Sequence, residues 1–172
     1  SLSQASKFAV FHALMALRDA AMMEDQAEVA ARCLQAAAPY AVTPRTRLRL
    51  ANATGVDYLQ KSNAALARRA FESALAAADE AGVPQTYEHR APAYLGLGRA
   101  ALLDGRPDQA REYAGNALLL SSMRADVGQM IDSLQLLAQG LRASGEHDEA
   151  IRTYRAAVGL IEQVPIGELD GD

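Results

Sequence analysis

Side chains able to perform chemistry are few and widely spaced in this sequence. The three histidines are His12, His89 and His147, and the single cysteine is Cys33. No histidine stands four residues from another or beside the cysteine, so the convergent ligands of a metal site are not indicated. Cys33 lies among alanines, which is typical of a small buried residue rather than of an activated thiolate. We interpret the histidines as solvated or groove-lining side chains and predict no metal or other cofactor.

Catalytic motifs do not occur in the sequence either. It contains no Walker phosphate-binding loop, no dinucleotide-binding glycine fingerprint and no G-x-S-x-G turn. Acidic pairs fall at predicted helix ends, where negative charge suits the helix dipole better than it suits general acid–base catalysis. These pairs are Glu24/Asp25, Asp79/Glu80 and Asp148/Glu149. We therefore predict a protein that is not an enzyme.

A small basic patch, formed by Arg45, Arg47 and Arg49, could suggest nucleic-acid binding. The chain has 17 basic and 21 acidic residues and a net charge of −4, and the patch has no interleaved aromatic residues on which bases could stack. We interpret the patch as solvent-exposed arginines at the start of a helix and predict no direct nucleic-acid partner. No apolar stretch approaches the roughly 20 residues that span a bilayer, and no secretory signal is recognised, so we expect a cytoplasmic location.

The composition indicates which elements must position these side chains. Hydrophobic residues make up 50% of the chain, aromatic residues only 5%, and tryptophan is absent. Alanine and leucine dominate the apolar residues, and both favour helices over sheets. The composition therefore predicts an all-α protein.

Two similar segments indicate a repeated helical hairpin. Gly105-Arg-Pro-Asp-Gln-Ala110 and Gly145-Glu-His-Asp-Glu-Ala150 lie forty residues apart, and each follows an apolar pattern of helical period. A third copy turns at Ser62-Asn63, and a weaker fourth turns at Asp25, with Arg18 where the others have a small residue. We predict eight helices in four antiparallel pairs: 4–23 with 26–38, 45–61 with 64–81, 87–104 with 107–121, and 125–143 with 147–163.

Local residue chemistry supports these turns. Gly105 and Gly145 can adopt positive φ without a steric penalty. Pro107 suits the first position of a helix, where its missing N–H costs nothing. Gly98 and Ala138 are small enough to let the second helix of each pair approach closely. Pro39 and Pro44 should bracket the first loop between pairs, Gly82-Val-Pro84 should end the fourth helix, and Pro165 and Gly167 should end the eighth.

The repeated pattern resembles the tetratricopeptide repeat (TPR). The matching segments are Tyr94-x2-Leu97-Gly98-x2-Ala101, Leu134-x2-Leu137-Ala138-x2-Leu141, Ala67-x3-Phe71 and Ala150-x3-Tyr154. The resemblance implies an α-solenoid with a right-handed superhelix, formed by one domain over 1–172. Its repeats would cover about 4–40, 45–82, 87–122 and 125–164, followed by an acidic tail, 165–172. The repeats are longer than usual and are similar to those of bacterial regulators of the MalT and LuxR type.

In the family that the pattern resembles, ligand peptides lie in a concave groove lined by the first helix of each pair. The resemblance therefore implies a set of groove residues: His12, Met15, Asp19 and Met22; Arg49, Asn52, Val56 and Leu59; Leu95, Arg99 and Leu102; and Gln135, Gln139 and Arg142. The arginines could bind carboxylates or carbonyls, and the amides could bind a peptide backbone. An alternative for Met15, Leu59, Leu95 and Leu102 is packing between repeats. The set contains no lysine, so the terminal-carboxylate specificity of chaperone-binding members is not transferred.

Three functions follow as hypotheses. The first is a protein-binding or peptide-binding module, the sensor or scaffold part of a larger bacterial regulator. The second is an oligomerisation element of a multidomain protein. The third is a domain that binds a small-molecule effector.

Overall fold

The structure is a computed structural model that describes residues 2–82 and 87–162, and the regular elements of these residues are all helical. The helices, in chain order, are α1 Gln4–Met23, α2 Ala27–Ala37, α3 Pro44–Gln60, α4 Ala64–Ala81, α5 Tyr87–Leu103, α6 Pro107–Met123, α7 Val127–Ala143 and α8 His147–Ile161. The predicted all-α class and the four helical pairs are confirmed.

Helix ends depart from the prediction by at most two residues where they are described. α2 ends at Ala37 because a 3-10 turn, Ala38–Tyr40, follows it. α7 begins at Val127, two residues late, because Asp126 is its N-cap and accepts a hydrogen bond from the Gln129 N–H at 3.0 Å. α4 ends before Gly82, as predicted. Pro165, Gly167 and the acidic tail 165–172 lie outside the described residues.

The start of α3 corrects one detail of the sequence analysis. Pro44 was expected in the loop, but it is the first residue of the helix. Thr43 is the N-cap, and its hydroxyl accepts from the Thr46 N–H at 3.2 Å while the Thr46 hydroxyl accepts from the Thr43 N–H at 3.0 Å. This reciprocal capping box satisfies two backbone donors and fixes where α3 begins.

Every hairpin turn places one residue with positive φ two positions before the next helix. Gly105 (68°) and Gly145 (84°) were predicted to do so. Ser62 (54°) and Asp25 (56°) adopt the same conformation with a side chain present. Asn63 then caps α4 by accepting from the Leu66 N–H at 3.1 Å. The third and fourth predicted turns therefore match the glycine turns in backbone conformation.

The chain divides into two compact units, 1–89 and 90–172, and each has its own core. In unit 1, a cluster of buried side chains joins α1, α2 and α3: Phe11, Met15, Leu34, Ala37 and Ala53. In unit 2, a second cluster joins α5, α6 and α7: Leu95, Ala114, Ala117 and Leu136. The prediction of a single domain over 1–172 stays a prediction.

Small residues mark the closest helix contacts inside each unit. A methyl group at Gly55 of α3 would lie 2.6 Å from the ring of Phe71 in α4. A methyl group at Gly98 of α5 would lie 2.5 Å from Leu136 Cδ2 and 3.3 Å from the Ala110 carbonyl oxygen. These distances are shorter than ordinary carbon contacts, so the helices pack this closely because no side chain intervenes. None of the described helices has the length and apolar character needed to cross a membrane.

Candidate functional site

A polar arrangement in unit 1 joins the first helices of the first two repeats. His12 and Asp19 are two helical turns apart on α1 and therefore share a face. Arg49 of α3 reaches both: its Nη1 lies 3.0 Å from His12 Nδ1, and its Nη2 donates to Asp19 Oδ2 at 3.2 Å. Three residues of the predicted groove set are thus brought together.

The partner of His12 determines its protonation state. A guanidinium can only donate hydrogen bonds, so His12 Nδ1 must accept and the ring proton must sit on Nε2. Burial lowers the pKa of His12 below its ordinary value, and the positive charges of Arg49 and then Arg45 lower it further. His12 is therefore a neutral imidazole at neutral pH, with an N–H donor at Nε2.

Next to these side chains lies a cavity of about 200 Å³, lined by Phe11, His12, Arg45, Thr46, Arg49 and His89. This volume equals roughly seven water molecules at about 30 Å³ each, which is small for a drug-sized ligand. Two of the lining side chains are always positive, two are imidazoles, and none of the described lining residues is acidic. The cavity therefore combines limited space with several donors of positive or neutral charge.

Two neighbouring residues support this arrangement. Asn52 of α3 donates its Nδ2 to the carbonyl oxygen of His89 at 2.9 Å and so ties the start of α5 to α3. Arg18 donates from Nη1 to Asp19 Oδ1 at 3.0 Å, with a side chain that is only 12% exposed. Asp19 thus accepts from arginines on two helices, and its charge is balanced locally.

The other predicted groove residues differ in how far their side chains are exposed to solvent. Met15 (1%) and Leu95 (4%) are buried in the two cores, so the packing alternative applies to them. Met22, Val56, Leu59 and Leu102 are partly buried. The polar members of unit 2 are exposed on α5 and α7, where they could meet a ligand: Arg99, Gln135, Gln139 and Arg142.

Sequence reasoning missed part of the cavity. Arg45 was treated only as one of three solvated arginines, and His89 was placed in a loop or helix start without a role. A signal was present, because Arg45 and Arg49 are four residues apart and share a helix face, whereas Arg47 points elsewhere. In the structure Arg47 Nη2 donates to Glu80 Oε1 of α4 at 2.7 Å.

The remaining chemistry-bearing side chains do not gather around a site. Cys33 is 5% exposed in α2, and His147 is the exposed first residue of α8. Among residues 2–82 and 87–162, no group of three or more histidine, cysteine or acidic side chains could hold a metal ion.

Comparison with known proteins gives the fold a name. No protein-family model matches the sequence, and no curated protein matches it either. A solved structure, the TPR domain of Arabidopsis FLU, resembles the chain with a TM-score of 0.64 and 19% sequence identity, covering 70% of this chain and 99% of that domain. At this identity the likeness concerns the fold, so the chain has a TPR-like fold of helical hairpins.

Proposed function

We propose that this chain is a non-enzymatic module that binds a segment of another protein along the exposed face of its first helices. TPR-like folds generally serve as protein-interaction scaffolds, and the fold resemblance supports this general role. The observation that carries the proposal is Arg49, whose hydrogen bonds to His12 and Asp19 join α1 and α3 into one polar surface. A surface that spans two repeats is what an extended segment requires.

Unit 2, taken by itself, offers a set of contacts for a protein segment. Arg99 of α5 and Arg142 of α7 are exposed, and so are Gln139 and Gln135, which lie about one and two turns before Arg142. Guanidinium groups bind carboxylates and carbonyls in a planar, paired geometry, and amides can both donate to and accept from a peptide backbone. These groups favour an extended, partly acidic protein segment as the partner.

The experiment is a capture assay with the purified chain against a library of immobilised peptides. We expect defined binders, and we expect the charge-reversal pair Arg99→Glu and Arg142→Glu to lose them at least about tenfold in affinity, since hydrogen bonds to charged groups are involved. Arg124→Glu with Arg152→Glu is the matched control, because these exposed arginines of unit 2 lie at the end of α6 and on α8. Equal loss in both pairs, or no binder at all, would refute the proposal.

A more specific proposal is that this module is part of a larger bacterial regulator. The long repeats are similar to those of bacterial regulators of the MalT and LuxR type, and a sensor or scaffold role in a cytoplasmic regulator is consistent with that similarity. The coding sequence surrounding this segment tests the assignment. A DNA-binding or nucleotide-hydrolysing domain in the same reading frame would support it, and an unrelated enzyme domain would exclude it.

Self-association is a second candidate, and it rests on the outer face of α8. Ile151, Val158 and Ile161 are 49%, 51% and 42% exposed and share one face of the helix. The corresponding face of α6 is covered by α7, since a methyl group at Gly140 would lie 2.7 Å from Arg111 Cγ. In the described residues no helix follows α8, so a second copy of the chain could cover this face.

Light scattering over a concentration series separates the two candidates. If α8 mediates self-association, the wild-type mass should rise towards that of a dimer, and Ile151→Glu with Val158→Glu should restore the monomer. A wild-type chain that stays monomeric at high concentration would remove this candidate and leave the peptide-binding proposal untouched.

A further inference from the structure

We infer that the outer face of α8 in one copy of this chain packs against the outer face of α1 in another copy. This contact is a particular form of the self-association considered above and rests on it, and it names the surface that α8 meets. Two sets of exposed residues form the contact. The α8 face consists of Ile151, Val158 and Ile161, and the α1 face consists of Ala13, Ala16, Leu17 and Ala20.

The contact between α6 and α7 shows how the second helix of one repeat meets the first helix of the next. A methyl group at Gly140 of α7 would lie 2.7 Å from Arg111 Cγ and 3.2 Å from the Pro107 carbonyl oxygen of α6. Pro107 and Arg111 lie in the first two turns of α6 and Gly140 in the last turn of α7, so the two helices run antiparallel. Leu136, one turn before Gly140, is only 2% exposed. A second helix is therefore covered at this face by small and apolar residues of the first helix that follows.

The α8 face occupies the positions that α7 covers in α6. The hairpin of α7 and α8 repeats the hairpin of α5 and α6 with an offset of forty residues. The equivalent pairs are Arg111 with Ile151, Leu118 with Val158, and Ser121 with Ile161. In α6 these positions are buried or partly buried, whereas in α8 they are 42% to 51% exposed. The fold therefore indicates what suits the α8 face, namely a first helix of the same repeat.

The α1 face occupies the positions that α7 buries in unit 2. The turn at Asp25 has the positive φ of the turn at Gly145, and these turns align α1 with α7. The equivalent pairs are Ser133 with Ala13, Leu136 with Ala16, Leu137 with Leu17, and Gly140 with Ala20. In α7 these positions are buried or partly buried, whereas in α1 all four are exposed. The chain thus carries both halves of one repeat contact, and each half is uncovered.

The two faces also fit each other in size and charge. The α8 face consists of branched side chains and the α1 face mostly of alanines, so large groups meet small ones, as the Arg111 stem meets Gly140. Neither face contains a charged residue, so the contact buries apolar surface without removing a charge from water. The antiparallel register places Ile151, near the start of α8, opposite Ala20, near the end of α1. Pairing of two α8 faces would instead set branched side chains against each other.

The test compares two variants of the full chain, alone and mixed, by light scattering. The α8 variant is Ile151→Glu with Val158→Glu, and the α1 variant is Ala13→Glu with Ala20→Glu. Concentrations extend to about 1 mM, because a contact between single helices is small and weak. Each variant should stay monomeric where the wild-type mass rises. Mixed in equal amounts, the variants should form pairs of two copies, because each retains the face that the other lacks.

Other modes of association give different results. If α8 pairs with α8, the α1 variant associates as the wild type does, and if α1 pairs with α1, the α8 variant does so. Either result would overturn the α1–α8 contact and leave self-association standing. A monomeric wild type would overturn both. The peptide-binding proposal is tested separately by capture and is unaffected by any of these results.

A matched control separates loss of the face from added charge. Ala65→Glu with Ala76→Glu introduces the same charges at exposed alanines of α4, outside both faces, and should associate as the wild type does. A loss equal to that of the α1 variant would overturn the inference. If circular dichroism shows that the α1 variant does not fold, the single substitution Ala20→Glu replaces it.

Cross-linking tests the register of the contact. A copy with Ala20→Cys and a copy with Ile151→Cys should form a mixed disulfide with an added oxidant, because a disulfide requires Cα atoms within about 7 Å. Ala9→Cys is the control, since Ala9 is exposed on the same side of α1 but about 16 Å further along the helix. Cys33 is buried and common to all copies. Equal yields with Ala9→Cys and Ala20→Cys would overturn the proposed contact.

Discussion

At the scale of single residues, Arg49 binds two partners on α1, and one of them, His12, gains a proton only on acidification. His12 accepts from Arg49, and a protonated imidazole has no lone pair with which to do so. Protonation would break this hydrogen bond and place a third positive charge beside Arg45 and Arg49. The pKa of His12 in the folded chain is therefore lower than in the unfolded chain, where it is about 6.5.

This difference predicts how stability depends on pH. Between the two pKa values the unfolded chain binds more protons at His12, so the free energy of unfolding rises with pH there and gains nothing further above about 6.5. Urea denaturation of wild type and His12→Gln at pH 5.5 and 7.5 measures it. The wild type should lose more stability on acidification than the variant does. His147→Gln is the control, and a wild-type response shared by His12→Gln would contradict the prediction.

The sequence predicted only part of the site at this scale. The TPR resemblance implied that His12, Asp19 and Arg49 lie on the groove side of the first helices, and the structure brings these three side chains together. The period also relates Arg45 to Arg49, but it says nothing of which arginine finds a partner on another helix. Arg47 turns to Glu80 and Arg49 turns to α1, and that choice depends on side-chain rotamers and inter-helix distances, which one sequence does not specify.

At the scale of helices, glycines of α5 and α6 predict opposite effects of the same substitution. Gly98→Ala would set a methyl group 2.5 Å from Leu136 Cδ2, and such overpacking costs about 1–3 kcal/mol, more than the roughly 1 kcal/mol that alanine adds to a helix. We expect a net loss of about 1 kcal/mol. Gly115→Ala meets nothing within 4 Å and should raise the free energy of unfolding by roughly 1 kcal/mol.

Urea denaturation of both glycine variants checks this prediction within unit 2. If Gly98→Ala were as stable as Gly115→Ala, the close approach of α5, α6 and α7 would be wrong. The sequence pattern had identified Gly98 as a close-packing position. It did not identify Gly140, because the repeat motif points to Ala138 and the contact with Arg111 appears only when α7 is placed against α6.

The turns give a second prediction at the scale of helices. Gly145 has φ of 84°, so Gly145→Ala should lower the free energy of unfolding by about 1 kcal/mol through steric strain. Ala125 already bears this strain at φ of 54° before α7, and Ala125→Gly should raise stability by less than about 1 kcal/mol, since glycine also adds entropy to the unfolded chain. Thermal unfolding followed by circular dichroism measures both, and a shift of the same sign in the two variants would argue against these turns.

At the scale of the whole molecule, the chain consists of two compact units with separate cores. In stacked repeats stability arises from each repeat and its contacts with its immediate neighbours. A destabilising substitution should therefore lower the stability of nearby helices more than that of distant ones. Gly55→Ala would place a methyl group 2.6 Å from the Phe71 ring inside unit 1. Hydrogen exchange measured by mass spectrometry should therefore accelerate in α3 and α4 more than in α7 and α8. Equal acceleration everywhere would show that the chain opens as one unit.

The sequence predicted the all-α class, eight helices and four hairpin turns, because glycine, proline and capping residues act locally and recur with the repeat. It did not predict the division between the two units. That boundary falls between His89 and Arg90 in the first turn of α5, and no change of composition accompanies it. Contacts between distant segments decide such boundaries, and a local pattern contains no information on them.

Cys33 has a practical consequence for studying the first hairpin. It is the chain's single cysteine and is 5% exposed in α2, so a thiol-labelling reagent can reach it only when α2 moves away from its neighbours. Its labelling rate in the native protein therefore reports how often α2 opens locally. A partner that stabilises the packing of α2 against its neighbours should lower this labelling rate, and the wild-type sequence already carries the reporter thiol.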